Sequence, residues 1–114
     1  MTYQQADILL QTLSTMLDIK GIAGFKIARN IRMIQEELKE YIQYKTELFK
    51  EYGEEKDGQL IVDKSSPSFS EFYKKLEELE NQKVDFDFRM ITEDEAIESG
   101  LTAGQISMIW EIIE

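Results

Sequence analysis

From Ile27 to Tyr52 the sequence places Ile27, Ile31, Ile34, Leu38, Tyr41, Lys45, Leu48 and Tyr52 at alternating steps of four and three. Only an α-helix gathers such a rhythm onto one face, and sustained this long it reads as the seam of a coiled-coil-like hairpin. No proline falls in residues 22–52, and the glycine there, Gly24, lies near the start. A helix is therefore expected from about Ile22 to Tyr52, stopped by Gly53. At about 1.5 Å per residue it would be roughly 40 Å long, more than one short neighbour covers. Lys45 is the polar member of the seam, and Phe25, Ile42 and Phe49 lie beside it as extra apolar residues. The seam is expected to serve chiefly inside the chain, with part of its surface left for a second one.

Two flanking segments supply the cover. Thr2 and Gln5 have capping-box spacing and open a stripe of Ala6, Leu9, Leu10, Leu13, Met16 and Leu17, so a first helix is expected over about Tyr3 to Leu17. Ser68 and Glu71 have the same spacing before Phe69, Phe72, Tyr73, Leu76 and Leu79, which predicts a third helix running to about Asn81. That helix is the natural cover for the distal half of the second.

Between them "EEKDGQLIVDKSSPS" holds an Asp57-Gly58 turn signal and a short strand over Leu60 to Val62. Further on, "VDFDF" alternates strictly, with Val84, Phe86 and Phe88 on one face and Asp85 and Asp87 on the other. The two strands are expected to pair, because a lone strand leaves its backbone groups unsatisfied. Thr92 with Glu95 and Thr102 with Gln105 then cap two more helical segments, the first ending at Gly100. The last, "QISMIWEIIE", is apolar nearly all round, as a surface helix is not. Ile106, Ile109, Trp110 and Ile113 are thus the candidate residues for contact with a partner, tryptophan being enriched where partners dock.

The expected architecture is an α+β, mostly α single domain over 1–114, with a long central helix packed by two shorter helices, a small two-stranded sheet and a hydrophobic C-terminal helix. It divides into a helical hairpin (1–53), a strand-helix-strand unit (54–92) and a C-terminal helical segment (93–114). Its 114 residues suit one modest core, and 42% hydrophobic with 32% charged residues suits a folded chain.

Composition narrows function. The chain has no cysteine and no histidine, which removes thiolate chemistry, disulfides and the commonest general base and metal ligand. No Gly-rich phosphate loop or calcium-loop spacing is present, so no catalytic residue, cofactor or metal is assigned and an enzyme is not expected. Net charge is −10. Lys20, Lys26, Arg29 and Arg32 against Asp7 and Asp18 give residues 1–34 a balance of +2, so the remainder carries −12. Such a surface repels nucleic acid and anionic lipid, and neither is expected as a direct partner. Asp85 and Asp87, with Glu93, Asp94, Glu95 and Glu98, form an acidic region able to imitate nucleic-acid phosphates toward a protein. The N-terminal "MTYQQADILL" has no basic leader, and the cytoplasm is the expected compartment.

"KIARNIRMIQEEL" (26–38), "LFKEYGEEKDGQLIV" (48–62), "LEELENQKVDFDF" (76–88) and "LTAGQISMIWEII" (101–113) together resemble a family of small uncharacterised proteins of phages and prophages of low-GC Gram-positive bacteria. The resemblance runs through most of the chain from residue 20 and carries no catalytic residues. It implies a bacterial host cell or a virion as the setting, and action by binding. The expectation is a non-enzymatic protein working through protein–protein contact, a self-associating homo-oligomer with a host or phage protein as further partner. Its alternatives are an anti-defence inhibitor that uses the acidic surface and a virion assembly or minor structural protein.

Overall fold

The computed structural model describes residues 1–114, apart from the side chain of Leu60. Helix α2, Gly21–Tyr52, is the spine of a molecule 54 × 30 × 22 Å in extent. Its seam faces inward as the rhythm predicts, with Ile27, Ile31, Ile34, Leu38, Tyr41 and Leu48 buried. Lys45 keeps its polar end satisfied, its ammonium lying 3.8 Å from Glu80 and 5.6 Å from the centre of the Tyr41 ring.

Helix α1, Tyr3–Ser14, begins at the expected capping box: the Thr2 hydroxyl accepts from the Gln5 amide (3.1 Å) and the Gln5 side chain accepts from the Thr2 amide (2.8 Å). It stops at Ser14 instead of Leu17. The hydroxyls of Ser14 and Thr15 bond back to the carbonyls of Leu10 and Thr12, which competes with further helix. The turn that follows buries Met16 and turns Leu17 to solvent. The connection then crosses α2 at Gly24, where any Cβ would collide with the Ile19 carbonyl.

The sheet has two strands, but its pairing differs from the expectation. β1, Glu54–Lys56, pairs antiparallel with β2, Gln59–Ile61, in the register Glu54↔Ile61 and Lys56↔Gln59. Asp57 and Gly58, at φ +53° and +79°, make the two-residue turn whose twist matches a hairpin. Closing that short loop orders far less chain than pairing with residues beyond 80 would.

Val84 to Phe88 forms no strand and pairs with none. Its alternation survives in burial, since Val84 is buried, Phe86 and Phe88 are half-buried and stacked (5.1 Å), and Asp85 and Asp87 are exposed. The backbone finds other partners. The Val84 amide donates to Met1 (2.9 Å), and the side chain of Asn30 in α2 takes the place of a strand at Arg89, accepting from its amide (2.8 Å) and donating to its carbonyl (3.0 Å).

Helix α3, Phe69–Glu80, covers the distal half of α2. Phe72 is buried there, its ring 5.1 Å from Phe49 and 5.8 Å from Tyr52. The expected Ser68–Glu71 box does not form, because Ser68 has helix-like backbone angles (φ −88°, ψ −2°) and its hydroxyl is 3.0 Å from that of Ser66.

Helices α4, Glu93–Glu98, and α5, Ala103–Met108, both carry the expected capping boxes. The hydrophobic C-terminal segment comes in two pieces: α5 ends at Met108, with Ile109 as its cap, and a 3₁₀ turn covers Trp110–Ile112. β-branched isoleucines favour extended backbone, and here the chain leaves the helix to bridge Ile113 to Ile91 in parallel. The Ile91 amide donates to Ile112 (2.8 Å), and the Glu114 amide donates to Ile91 (2.9 Å).

Candidate partner-binding surface

The C-terminal segment sits on α2 through polar clamps as well as apolar packing. Asn30 is fully buried, and its two hydrogen bonds fix Arg89. One turn earlier, the Lys26 ammonium donates to the Met90 carbonyl (2.7 Å) and to Glu95 (2.6 Å). Glu95 in turn accepts from the Thr92 amide (2.9 Å), so one carboxylate both caps α4 and ties it to α2. The Lys26 hydrogen bond, followed by that of the Thr92 backbone, holds the Glu95 carboxyl below its ordinary value. Asn30 marks the point where the chain trades core volume for position, since truncating it would remove both hydrogen bonds to the Arg89 backbone, each worth about 0.5–1.5 kcal/mol.

With the segment so placed, Ile109 and Ile112 fill the core at 0% exposure. Ile109, a candidate contact residue from sequence, is therefore not at the surface. Its neighbours are: Trp110 is 67% exposed, and Ile106 and Ile113 are half-buried. These three come together with Ala96 and Ile97 of α4 around an apolar groove of about 270 Å³, with Glu93 and Glu114 at its edge. Ile97 is itself 67% exposed. The groove falls below the roughly 300–1,000 Å³ of a small-molecule pocket and suits protruding side chains better.

Asp85 and Asp87 are not part of this groove. They lie exposed on the segment before α4, and the structure does not bring them together with Trp110. Among the described residues, no three Asp or Glu side chains are arranged to share a metal ion. The basic quartet divides, since Lys26 is committed to Glu95 while Lys20, Arg29 and Arg32 remain exposed.

A second concavity, about 430 Å³, opens between α1, α2 and α3 beside the stacked rings of Tyr3 and Tyr41 (5.2 Å). Its rim is Glu40, Gln82 and Lys83, with Tyr44 and Leu79. The Tyr41 hydroxyl is buried without a partner, and burial first, then Glu80 and Asp7, pushes its pKa up to about 12. A neutral phenol in this position supports packing and offers no nucleophile.

Sequence reasoning missed Ile97 and Asn30. Ile97 was visible as the large apolar residue in the otherwise polar "EDEAIESG", and Asn30 as the polar residue between Ile27 and Ile34 at helical spacing. No family model matches the chain, and neither a curated protein nor a solved structure matches it. Among the described residues, no helix is long and apolar enough to cross a membrane.

Proposed function

We propose that this chain is a non-enzymatic binding protein that works by protein–protein contact through the groove between α4 and the C-terminal segment, and that it self-associates there. The observation that carries the reading is the exposure of Trp110 over a groove whose walls are Ile97, Ile106 and Ile113. An aromatic ring left in water beside other apolar side chains gains most from a partner, and tryptophan is the residue most enriched among interface hot spots. The absence of histidine and cysteine favours binding over catalysis. The resemblance to phage and prophage proteins supports a bacterial host cell or a virion as the setting of that action.

A second reading rests on the exposed Asp85 and Asp87, which suit an inhibitor occupying the basic site of a host nucleic-acid-acting or defence protein. The two readings use different faces. Light scattering across a concentration series tests the first: wild type is expected to pass from monomer to oligomer, and Trp110→Asp to stay a folded monomer. A variant that associates as wild type does would overturn it.

A further inference from the structure

The groove has an acidic setting. Residues 90–114 contain Glu93, Asp94, Glu95, Glu98, Glu111 and Glu114 and no lysine or arginine. Glu95 is neutralised by Lys26, which leaves the groove edge with the uncompensated carboxylates of Glu93 and Glu114. A partner for this surface needs apolar side chains to fill the groove and positive charge placed beside them.

One surface of the chain has that composition. On the outer face of α2, opposite the seam, Ile22, Phe25, Arg29 and Arg32 follow one another at steps of three, four and three, and all are exposed. Ile22 is 58% and Phe25 65% exposed, large apolar residues on a helix whose other face already fills the core. The Arg29 guanidinium lies 5.7 Å from the centre of the Phe25 ring, so charge and aromatic surface are presented together. The stripe spans about 15 Å of helix, and anchors at this spacing are those by which a helix lies in an apolar groove. It also belongs to residues 1–34, the stretch of positive balance in a chain of net charge −10.

Building on the groove reading above, we infer that the occupant of the groove is the Ile22–Phe25–Arg29–Arg32 stripe of a second copy of this chain. Phe25 and Ile22 enter between Ile97 and Trp110, while Arg29 and Arg32 meet Glu93 and Glu114. The contact joins two different surfaces, so each copy offers both halves of it.

Charge reversal with mixing tests the inference. One variant carries Arg29→Glu and Arg32→Glu, the other Glu93→Arg and Glu114→Arg; all four side chains are exposed, and thermal melting of each variant establishes that it is folded. Light scattering is expected to show each variant alone as a monomer at concentrations where wild type associates. Their mixture is expected to associate, because reversed stripe then faces reversed groove and the untouched stripe faces the untouched groove. A mixture that stays monomeric overturns the inference. So does a stripe variant that associates as wild type does; if Trp110→Asp is nonetheless monomeric, the groove reading stands and only its occupant is wrong. Association of Trp110→Asp at the wild-type concentration, or a wild type that is monomeric throughout, overturns both.

Discussion

The first half of α2 is packed on two sides and the second half on one. Up to Tyr41 the helix buries Ala23, Ile27, Asn30, Ile31, Ile34, Leu38 and Tyr41, whereas beyond it Leu48 is the buried residue. The wide buried band of the first half exceeds a heptad seam, because α1 covers one flank and residues 84–113 the other. The second half meets α3 through a small aromatic cluster of Phe49, Tyr52, Phe69 and Phe72. A regular 4-3 rhythm thus identifies a buried face without telling how many elements cover it. The half that gathers more cover is also the half that carries the proposed contact, since its clamps at Lys26 and Asn30 position the groove.

Truncation at matched positions gives the largest test of this difference. Ile34→Ala, in the two-sided core, is expected to cost about 4–5 kcal/mol, and Leu48→Ala, in a thinner cluster able to collapse, about 2–3 kcal/mol. Denaturant unfolding of both variants measures the gap, and equal losses would break the comparison.

A smaller effect is expected at the Lys26–Glu95 clamp. Glu95→Gln keeps an oxygen to cap Thr92 but removes the charge paired with Lys26. Because the folded carboxyl titrates below its ordinary 4.5, its contribution is complete above that value and is lost as pH falls through the lowered one. Wild type should therefore exceed Glu95→Gln in melting temperature at neutral pH and converge with it in acid. A difference independent of pH would mean that the charge of the pair contributes nothing to holding α4 on α2.

What was readable in the sequence was local. Thr2–Gln5, Thr92–Glu95 and Thr102–Gln105 each place both halves of a reciprocal cap three residues apart, and all three form. The spine was readable for a related reason, since its rhythm repeats over a stretch no other structure accommodates. Ser68–Glu71 has the same letters, but Ser66 holds Ser68 in a turn that precludes the cap. Glu54–Lys56 was invisible as a strand because it is charged and wholly exposed; only its Asp57-Gly58 turn pointed to it. "VDFDF" alternates for burial against helices, and no local pattern announces that the Met1 carbonyl accepts from Val84 or that Asn30, 59 residues away, bonds the backbone of Arg89 just beyond the segment. The candidate site was half legible: Trp110, Ile106 and Ile113 were read from composition, but Ile109 lies inside and Ile97 completes the groove from another helix.

The chain contains a single tryptophan, and it stands at the centre of the proposed contact. Its fluorescence, followed with acrylamide quenching across the same concentration series, is the most direct measurement. Water-exposed emission is expected in dilute solution, then a blue shift and falling quenching in step with the rise in mass. Oligomers that form while the emission stays that of a solvent-exposed indole would place the contact elsewhere and contradict it.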